Sequence, residues 1–391
     1  MSFIYGKKNL AAEGSKSALN PIYSSLAKAP FTVANIYDEQ DLMSPLLENV
    51  DMFGIANPQV VLDDVMHENS NYGFMGNVSV KYSVWKDLTL STVVGLRFNK
   101  ERERVFHPSS GIPYGELPTA MITNELQHRV ERIFTLSNET RANYLFKFGA
   151  DHRLDATLGM RYLNTKGEDD WGKGYNSASD NFTSINYGLN ELRQAGGSIG
   201  EWNWLAFYAN LAYSWKDRYF LTGTFSADAS SRYGDDIGQF QSFPAISGAW
   251  LISSEPFMRN IDKVDLLKLR AGYSTAGNDD IGNFTARRYY TSQNLMGNYG
   301  LVRGNLVNTA LKPERVGKFN VGVDASFFNE RLSLSADFYR TNVKDMIAYS
   351  SITPISGFST YVDNNGEMQN TGFDFSLSGR LLNLRELKWD A

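Results

Sequence analysis

Charged and polar side chains occupy alternate positions in several segments of this 391-residue chain. From Lys318 to Phe327 the chain reads KFNVGVDASF, in which Lys, Asn, Asp and Ser alternate with apolar residues. Alternate residues of a β-strand point to opposite faces, so these polar residues share one face. That face could pair with carboxylates of another segment or simply be hydrated. The residues expected on polar faces of this kind, pointing inward to a lumen, are Arg97, Arg161, Lys268, Arg270, Lys318 and Asp324.

Three aromatic residues flank one long polar segment, in which WGKGYNSASDN runs from Trp171 to Asn181. Exposed aromatic rings can stack on sugar rings, so Trp171, Tyr175 and Trp202 form a candidate ligand-binding set. The plainer interpretation is that such rings mark a membrane interface, and it applies most strongly to Trp204.

The segment GNDDIGN, from Gly277 to Asn283, clusters Asp and Asn oxygens that suit a hard cation such as calcium. It lacks the bidentate Glu that an EF-hand needs at fixed spacing, so a polar, turn-rich loop is the stronger interpretation. Calcium binding by such loops stays open. Asp169-Asp170 and Asp235-Asp236 are adjacent pairs whose side chains point apart on an extended chain, which disfavours acid–base catalysis.

No enzyme class is supported. The chain has no Cys, which removes thiol chemistry and Cys-ligated metals. It shows no Ser/His/Asp arrangement, P-loop or dinucleotide fingerprint. The four histidines lack metal-ligand spacing and are His67, His107, His128 and His152. We predict no catalytic residue, no metal site and no cofactor.

Short hairpins position the polar residues. Asn77 to Val84 alternates polar and apolar residues, Lys86-Asp87 makes a turn, and Leu88 to Phe98 returns with the same alternation. This two-residue period predicts strands with one dry and one wet face. Six such hairpins follow one another, and further turns are predicted at Ala150-Asp151, Lys216-Asp217, Asn329-Glu330 and near Asn383 to Arg385.

Long polar segments separate the hairpins. They lie near residues 7–70, 99–130, 165–202, 231–241, 275–314 and 346–368. Strands of about 10 residues, with short turns at one end and long loops at the other, are typical of an outer-membrane β-barrel. We therefore predict an all-β, antiparallel transmembrane barrel of about 12 strands, or 13 with a stub at Phe3 to Tyr5. The alternative on pattern alone is a soluble all-β protein.

Composition agrees with this class. No stretch approaches 18 apolar residues, which excludes membrane helices but not barrel strands. Aromatic residues reach 13%, which suits interfacial girdles, and Trp215, Phe148 and Phe327 stand beside short turns. A net charge of −5 without a basic, aromatic patch argues against a nucleic-acid partner. The first residues lack a signal peptide, which a membrane barrel needs, so we expect a piece of a longer protein.

Several segments together carry a resemblance to one protein family. They are SPLLENVDMFGIANP from Ser44, SSRYGDDIGQFQSFPAISGAWLISSEPFM from Ser230, LLKLRAGYSTAGNDDIGNF from Leu266, LKPER from Leu311, FFNERLSLSADFYRTNVKDMI from Phe327 and NTGFDFSLSGRLL from Asn370. The chain resembles the SusC/RagA-type TonB-dependent transporters of Bacteroidota outer membranes, in matching order along nearly all of residues 1–391.

The resemblance implies a location and a set of partners. Such proteins lie in the cell outer membrane among its lipids and import oligosaccharides or peptides. A SusD-like surface lipoprotein covers the barrel, and the TonB-ExbB-ExbD complex supplies energy. The sequence does not distinguish glycan from peptide cargo. The competing functional hypothesis is a soluble or surface-exposed all-β structural or adhesive protein without transport activity.

The resemblance also implies that much of the protein lies outside this sequence. The family has a signal peptide, a carboxypeptidase-like domain, a TonB-contacting box and a plug before a 22-stranded barrel. We therefore expect a partial barrel that lacks the plug and both ends. Its strands should form an open, curved half-barrel, with the short turns near Lys86, Ala150, Lys216 and Asn329 along one rim and the long loops along the other. Pairing of the first strand with the last would contradict this expectation.

Overall fold

The computed structural model describes residues 2–9, 20–113, 122–261, 263–383 and 388–390. The turn predicted near Asn383 to Arg385 lies largely outside these residues. Within them the chain forms two short α-helices, α1 (Pro21–Ala27) and α2 (Pro58–Asp63), a few single 3₁₀ turns and, for the most part, β-strands. The strands are β1 (Ser2–Asn9), β2 (Asn35–Tyr37), β3 (Met43–Leu47), β4 (Met66–Ser83), β5 (Leu88–His107), β6 (Glu125–Phe148), β7 (His152–Tyr175), β8 (Gln194–Trp215), β9 (Tyr219–Ser230), β10 (Gln241–Leu251), β11 (Val264–Asn278), β12 (Tyr290–Leu295), β13 (Asn298–Arg303), β14 (Glu314–Phe327), β15 (Leu332–Ser351), β16 (Thr360–Asn383) and β17 (Lys388–Asp390).

One large sheet carries most of the strands. It has 13 strands in the order β1-β4-β5-β6-β7-β8-β9-β10-β11-β14-β15-β16-β17, so consecutive long strands are neighbours. The pairs from β8 to β17 and the β1–β4 pair are antiparallel. Among the described residues, β1 and β17 stand at opposite ends of this order and do not pair. The predicted antiparallel, all-β fold and its open sheet are confirmed.

Two minor sheets lie in long connections. β2 pairs with β3, and β12 pairs with β13 in a hairpin between β11 and β14. In the second hairpin Met296 and Gly297 have φ of 51° and 83°, which is the geometry of a two-residue turn that follows the twist of its strands.

The short turns explain why neighbouring strands pair in a fixed register. Lys216 and Asp217 have φ of 53° and 50°, the left-handed pair that a type I′ hairpin requires. Phe328, Asn329 and Glu330 also have positive φ, between 57° and 60°. Asn and Asp tolerate this conformation better than most residues. The turns predicted at Lys216-Asp217 and Asn329-Glu330 therefore occur where the sequence indicates.

Several strands extend well into segments that the sequence predicts as loops. β5 continues to His107, β7 continues to Tyr175, and β8 begins at Gln194. Connection 108–124, of which the structure describes 108–113 and 122–124, and connection 176–193 thus begin and end inside the predicted loops 99–130 and 165–202. In these extensions both faces carry polar residues, so the hydrophobic alternation that predicts a strand is absent although backbone pairing continues.

The chain divides into two compact units. Unit 1 comprises Met1–Asn77, Gly95–Leu136 and Thr165–Glu201, and unit 2 comprises Val78–Val94, Ser137–Asn164 and Trp202–Ala391. Among the described residues, no helix is long and apolar enough to cross a membrane.

Small cores hold the loops of each unit. In unit 1, Val60 and Ile112 are buried against one another, and Asn57 is fully buried. Asn57 caps α2 and also donates to the carbonyls of Ala34 and Glu48 at 2.8 and 2.7 Å. In unit 2, the buried residues Ile281, Ala286 and Leu311 form another small apolar cluster.

Candidate functional site

Unit 2 exposes an apolar face. Val321 in β14 and Phe338 in β15 are paired neighbours, exposed by 40% and 43%. Phe373 and Leu377 in β16 are exposed by 65% and 55%. A water-soluble protein would bury such a face, since large contiguous apolar patches are rare on soluble monomers. An exposed apolar sheet face is what contact with lipid requires.

Aromatic rings gather beside the short turns on unit 2. Trp215 and Tyr219 are cross-strand partners with ring centroids 5.1 Å apart, and Tyr219 stacks on Trp250 at 6.0 Å. His152 lies 6.1 Å from Trp215 and bonds the Tyr213 hydroxyl at 2.6 Å. Amphipathic rings in this arrangement suit a membrane–water interface.

The opposite face of β11, β14 and β15 carries a paired charge cluster. The Arg270 guanidinium donates to both carboxylate oxygens of Asp324, at 2.9 and 3.0 Å, and to both of Asp337, at 2.6 and 2.7 Å. Ser335 donates to Asp324 at 2.9 Å. Gly322 lies directly beneath this charge cluster. A Cβ at this position would come within 2.4 Å of Asp337. Arg270 is thus paired with two acidic residues of this chain. The sequence left two alternatives open for it, carboxylates of another segment or simple hydration.

A second cluster joins β6, β7 and β8 on a polar face. The Tyr208 hydroxyl donates to Glu139 at 2.6 Å, and Arg161 donates to the same oxygen at 3.3 Å. The Tyr208 ring passes directly over Gly159, where a Cβ would meet the ring at 2.3 Å. Only a glycine admits the ring at this height, so Gly159 sets the position of the hydroxyl. Sequence reasoning missed Glu139 and Tyr208, since neither stands out without the strand register.

A polar recess of about 710 Å³ lies on the same wall of unit 2. Its lining includes amide, hydroxyl and carboxylate groups, among which Asn143 donates to Thr157 at 2.9 Å and also to Asp155. Asn210, also in the lining, donates to Thr224 at 2.8 Å. Its basic side chains are Lys81, Arg141 and Arg153. Such a surface can hydrogen bond a hydroxyl- or amide-rich solute without a strong charge requirement.

The other residues predicted for the polar face form fewer contacts. Lys268 stands opposite Asp324 in the β11–β14 register. The Lys318 ammonium lies 5.8 Å from the centre of the Tyr339 ring. Arg97 is exposed on β5 and has no hydrogen bond or ion pair within the described part of the chain. Whether these residues face a lumen stays a prediction.

The predicted aromatic set is divided between the two units. In unit 1, Trp171 is partly buried over Gly196, where a Cβ would meet the indole at 2.5 Å. Tyr175 is 2% exposed and packs with Ile122 and Leu192, which places it inside a loop core and away from any surface where a sugar could stack. Burial, together with the charge of Glu125, raises the pKa of Tyr175.

In unit 2, one face of Trp202 is covered by a cation. The Arg232 guanidinium carbon lies 4.2 Å from the centre of a Trp202 ring. The same guanidinium donates to the Asn283 side chain at 3.1 and 3.3 Å and to the Asp279 carbonyl at 3.4 Å. Arginine thereby occupies the oxygen-rich face of the segment Gly277 to Asn283. No cluster of three or more potential metal ligands occurs among the described residues.

The loop connections of unit 1 are fastened by buried polar groups. Asn124, 1% exposed, donates to Asp180 at 2.9 Å and accepts from the Ser177 amide at 2.8 Å. Ser109 also donates its amide and hydroxyl to Asp180, at 3.0 and 2.7 Å. These contacts join connections 108–124 and 176–193. Their residues are far apart in sequence, so no local pattern signals them.

Glu125 follows Asn124 directly in the chain and lies beside these contacts. Its carboxylate pairs with Lys173 at 3.1 Å and lies 3.5 Å from the ring of His107. Burial alone would raise the pKa of Glu125, but His107 and the Lys173 charge together outweigh it and hold the pKa below its usual range. In unit 2, burial raises the pKa of the Tyr233 phenol, and the charges of Asp279 and Asp228 add to the effect.

An antiparallel sheet with one exposed apolar face, one polar face and aromatic rings at its short turns defines a transmembrane β-barrel wall. Comparison with known proteins gives the family. A family model described as TonB dependent receptor-like, beta-barrel matches residues 34–391, and the chain belongs to this family. The resemblance noted in the sequence is confirmed.

Named relatives agree. TonB-dependent receptor P39 of Formosa agariphila is 27% identical over 328 residues, 80% of this chain and 30% of that protein. TonB-dependent receptor SusC of Bacteroides thetaiotaomicron is 24% identical over 347 residues, 85% of this chain and 33% of that protein. The solved RagAB peptide transporter is 25% identical, with a TM-score of 0.75 over 86% of this chain and 38% of that one. The chain thus spans about a third of the length of the curated relatives it matches.

Proposed function

We propose that this chain forms part of the barrel wall and the outer loops of a TonB-dependent transporter in the cell outer membrane. Its import cargo would be an oligosaccharide or a peptide. The match of residues 34–391 to the receptor barrel family carries this proposal. The two-faced sheet of unit 2 supports it, because a lipid-exposed wall needs the apolar face and a solute path needs the polar one.

The solute path would follow the polar face. The recess with Asn143, Thr157 and Asn210 offers donors and acceptors that fit sugar hydroxyls or peptide groups equally well. The two charge clusters, centred on Arg161 and Arg270, are internally paired and would present a hydrated, rigid surface. Trp171 and Trp202 are proposed ligand contacts on the outer loops. A ligand would contact Trp202 at the ring edge, because Arg232 covers a face of the ring.

Two partners follow from the proposal. Energy would come from the TonB-ExbB-ExbD complex through parts of the protein outside this sequence. A SusD-like surface lipoprotein would cover the outer loops. The β12–β13 hairpin supports such a cover, since Met296, Tyr299 and Leu301 are exposed by 95%, 81% and 76%. Apolar side chains this exposed are usually covered by a partner.

The test is uptake by cells. The gene for the full-length protein would be deleted and complemented, and import of fluorescent oligosaccharide and peptide pools would be measured with and without an uncoupler. The proposal expects import of one pool to depend on both the gene and the proton gradient. Unchanged import of both pools would contradict it. A chain that is soluble without detergent and unfolds cooperatively would instead favour the structural or adhesive alternative.

A further inference from the structure

Charges on one stretch of β5 are sorted by face. In KERER the basic residues Lys100, Arg102 and Arg104 alternate with Glu101 and Glu103. The acids point to β4: Glu103 bonds the His67 ring at 2.6 Å, and Asn69 donates to Glu101. The three basic residues therefore share the opposite face of the strand.

That basic face continues the apolar face of the same strand. Thr92 of β5 bonds Thr140 of β6 at 2.9 Å, and further along Arg102 donates to His128 of β6 at 3.0 Å. Each contact joins even-numbered residues of the two strands, and the even-numbered residues of the single strand β5 share one face. The apolar residues on this face are Leu90, Val94, Leu96 and Phe98, each exposed by between 37% and 43%.

The basic residues lack acidic partners. Across the described residues, Lys100 and Arg104 form no ion pair, and the acceptor for Arg102 is the uncharged ring nitrogen of His128. Burial and then the charges of Arg102 and Arg104 lower the pKa of His128. A groove of about 350 Å³ is lined by Arg102, Arg104 and His128. Three neighbouring like charges repel unless an anion joins them.

The distance along the strand places these charges at the edge of a bilayer. Leu88 to Phe98 is roughly 11 residues, or about 36 Å of strand at about 3.3 Å per residue. Inclined by about 45°, that length crosses about 25 Å, the height of the apolar band of an outer-membrane barrel. Lys100 is the next outward residue, so the basic face begins where the hydrocarbon ends.

We propose that Lys100, Arg102 and Arg104 form a binding surface for the phosphate groups of membrane lipids. Guanidinium groups bind phosphate through paired hydrogen bonds, and the adjoining apolar residues would hold the lipid chains. The inference rests on the proposed membrane position of the chain. It goes beyond that position by naming the headgroup chemistry and the residues.

The experiment uses the full-length transporter purified in neutral detergent, with phosphatidic acid and phosphatidylcholine as probes. Lipid adducts are counted by native mass spectrometry for the wild type and for the triple variant Lys100→Gln, Arg102→Gln, Arg104→Gln. The triple variant should bind phosphatidic acid on the order of 100-fold more weakly, with phosphatidylcholine binding unchanged. The variant Arg102→Lys, Arg104→Lys keeps the charges but loses the paired hydrogen bonds, so its phosphatidic acid binding should lie between those of the wild type and the triple variant.

A matched control removes three positive charges from the recess, through Lys81→Gln, Arg141→Gln and Arg153→Gln. Its phosphatidic acid binding should equal that of the wild type. Equal loss in the control, or no loss in the KERER variant, overturns the inference. So does glycerol phosphate binding as tightly as the lipid, because the site would then take a free anion. None of these results bears on import, whereas a protein absent from outer-membrane fractions would defeat the proposed function itself.

Discussion

Two parts of β5 share one backbone but differ in what they show to the outside. From Leu90 to Phe98 the residues on one face are apolar and exposed apart from Thr92, whereas from Lys100 to Arg104 the residues on that face are basic. Both parts belong to the same strand, which ends only at His107. The presence of a strand therefore does not depend on hydrophobic alternation along it. A chain can continue as a paired strand long after the alternation stops.

Leu158 and Ile199 make the same comparison across two strands. They are exposed almost equally, by 65% in β7 and 67% in β8. Leu158 lies in unit 2, on the strand part near the short turns, whereas Ile199 lies in the polar extension that belongs to unit 1. If both side chains were exposed to water, Leu158 and Ile199 would have equivalent surroundings. If lipid surrounds unit 2, Leu158 contacts lipid and their surroundings differ.

The largest expected effect comes from placing an arginine at these two positions. Leu158→Arg should destabilise the folded barrel by about 2–4 kcal/mol, because a guanidinium near the middle of the apolar band leaves water. Ile199→Arg should change stability by less than about 0.5 kcal/mol, as ordinary surface substitutions do. Unfolding of the full-length protein from lipid vesicles in guanidinium measures both. Equal effects would remove the distinction between the two regions.

The next effect concerns the polar face, where paired and unpaired cations can be compared. Arg270→Met leaves Asp324 and Asp337 side by side without a cation and should cost about 1–3 kcal/mol, less than a fully buried pair because the cluster is about one quarter exposed. Arg153→Met removes an arginine from the recess and should cost under about 0.5 kcal/mol. The same unfolding measurement applies. A restored stability in the triple variant with Asp324→Asn and Asp337→Asn would identify the lost pairing as the cause.

A smaller effect is expected where Arg232 lies over Trp202. Trp202→Leu should loosen the connection 231–240 by about 0.5–1 kcal/mol, because the cation–π contact is lost while the Asn283 hydrogen bonds remain. Limited proteolysis of membrane-embedded protein reports the change. Trp202→Phe keeps an aromatic face and should cleave more slowly than the Leu variant. Identical cleavage of both variants would show that the ring contributes only its volume.

The smallest effect is a pH dependence in the loops of unit 1. The folded-state pKa of Glu125 is lowered from 4.5, so its stabilisation is complete above the unfolded value and is lost as pH falls through the lower folded value. Hydrogen exchange in connections 108–124 and 176–193 should therefore accelerate below about pH 4.5. Glu125→Gln should abolish that acceleration, whereas Glu191→Gln, at an exposed position, should leave it intact. Acceleration that survives in Glu125→Gln would assign it to another group.

The sequence predicts the strands and turns of unit 2 because each hairpin repeats a local pattern. It does not predict that Arg270 meets Asp324 and Asp337, since that depends on the register of three strands. It also misjudges Tyr175. The burial of this ring depends on packing against Ile122, which lies about 53 positions earlier in the chain. The extensions of β5, β7 and β8 are missed for the reason that β5 illustrates: polar residues on both faces leave no alternation to detect.

The central claim is that the short turns and the long connections lie on opposite sides of an outer membrane. The chain contains no Cys, so single substitutions can report each side. Met296→Cys stands at the tip of the β12–β13 hairpin, 95% exposed, and Asn329→Cys stands in an exposed short turn. In cells producing the full-length protein without other cysteines, a membrane-impermeant maleimide should label Met296→Cys at once and Asn329→Cys only after the outer membrane is permeabilised. Equal labelling of both in intact cells would contradict the account.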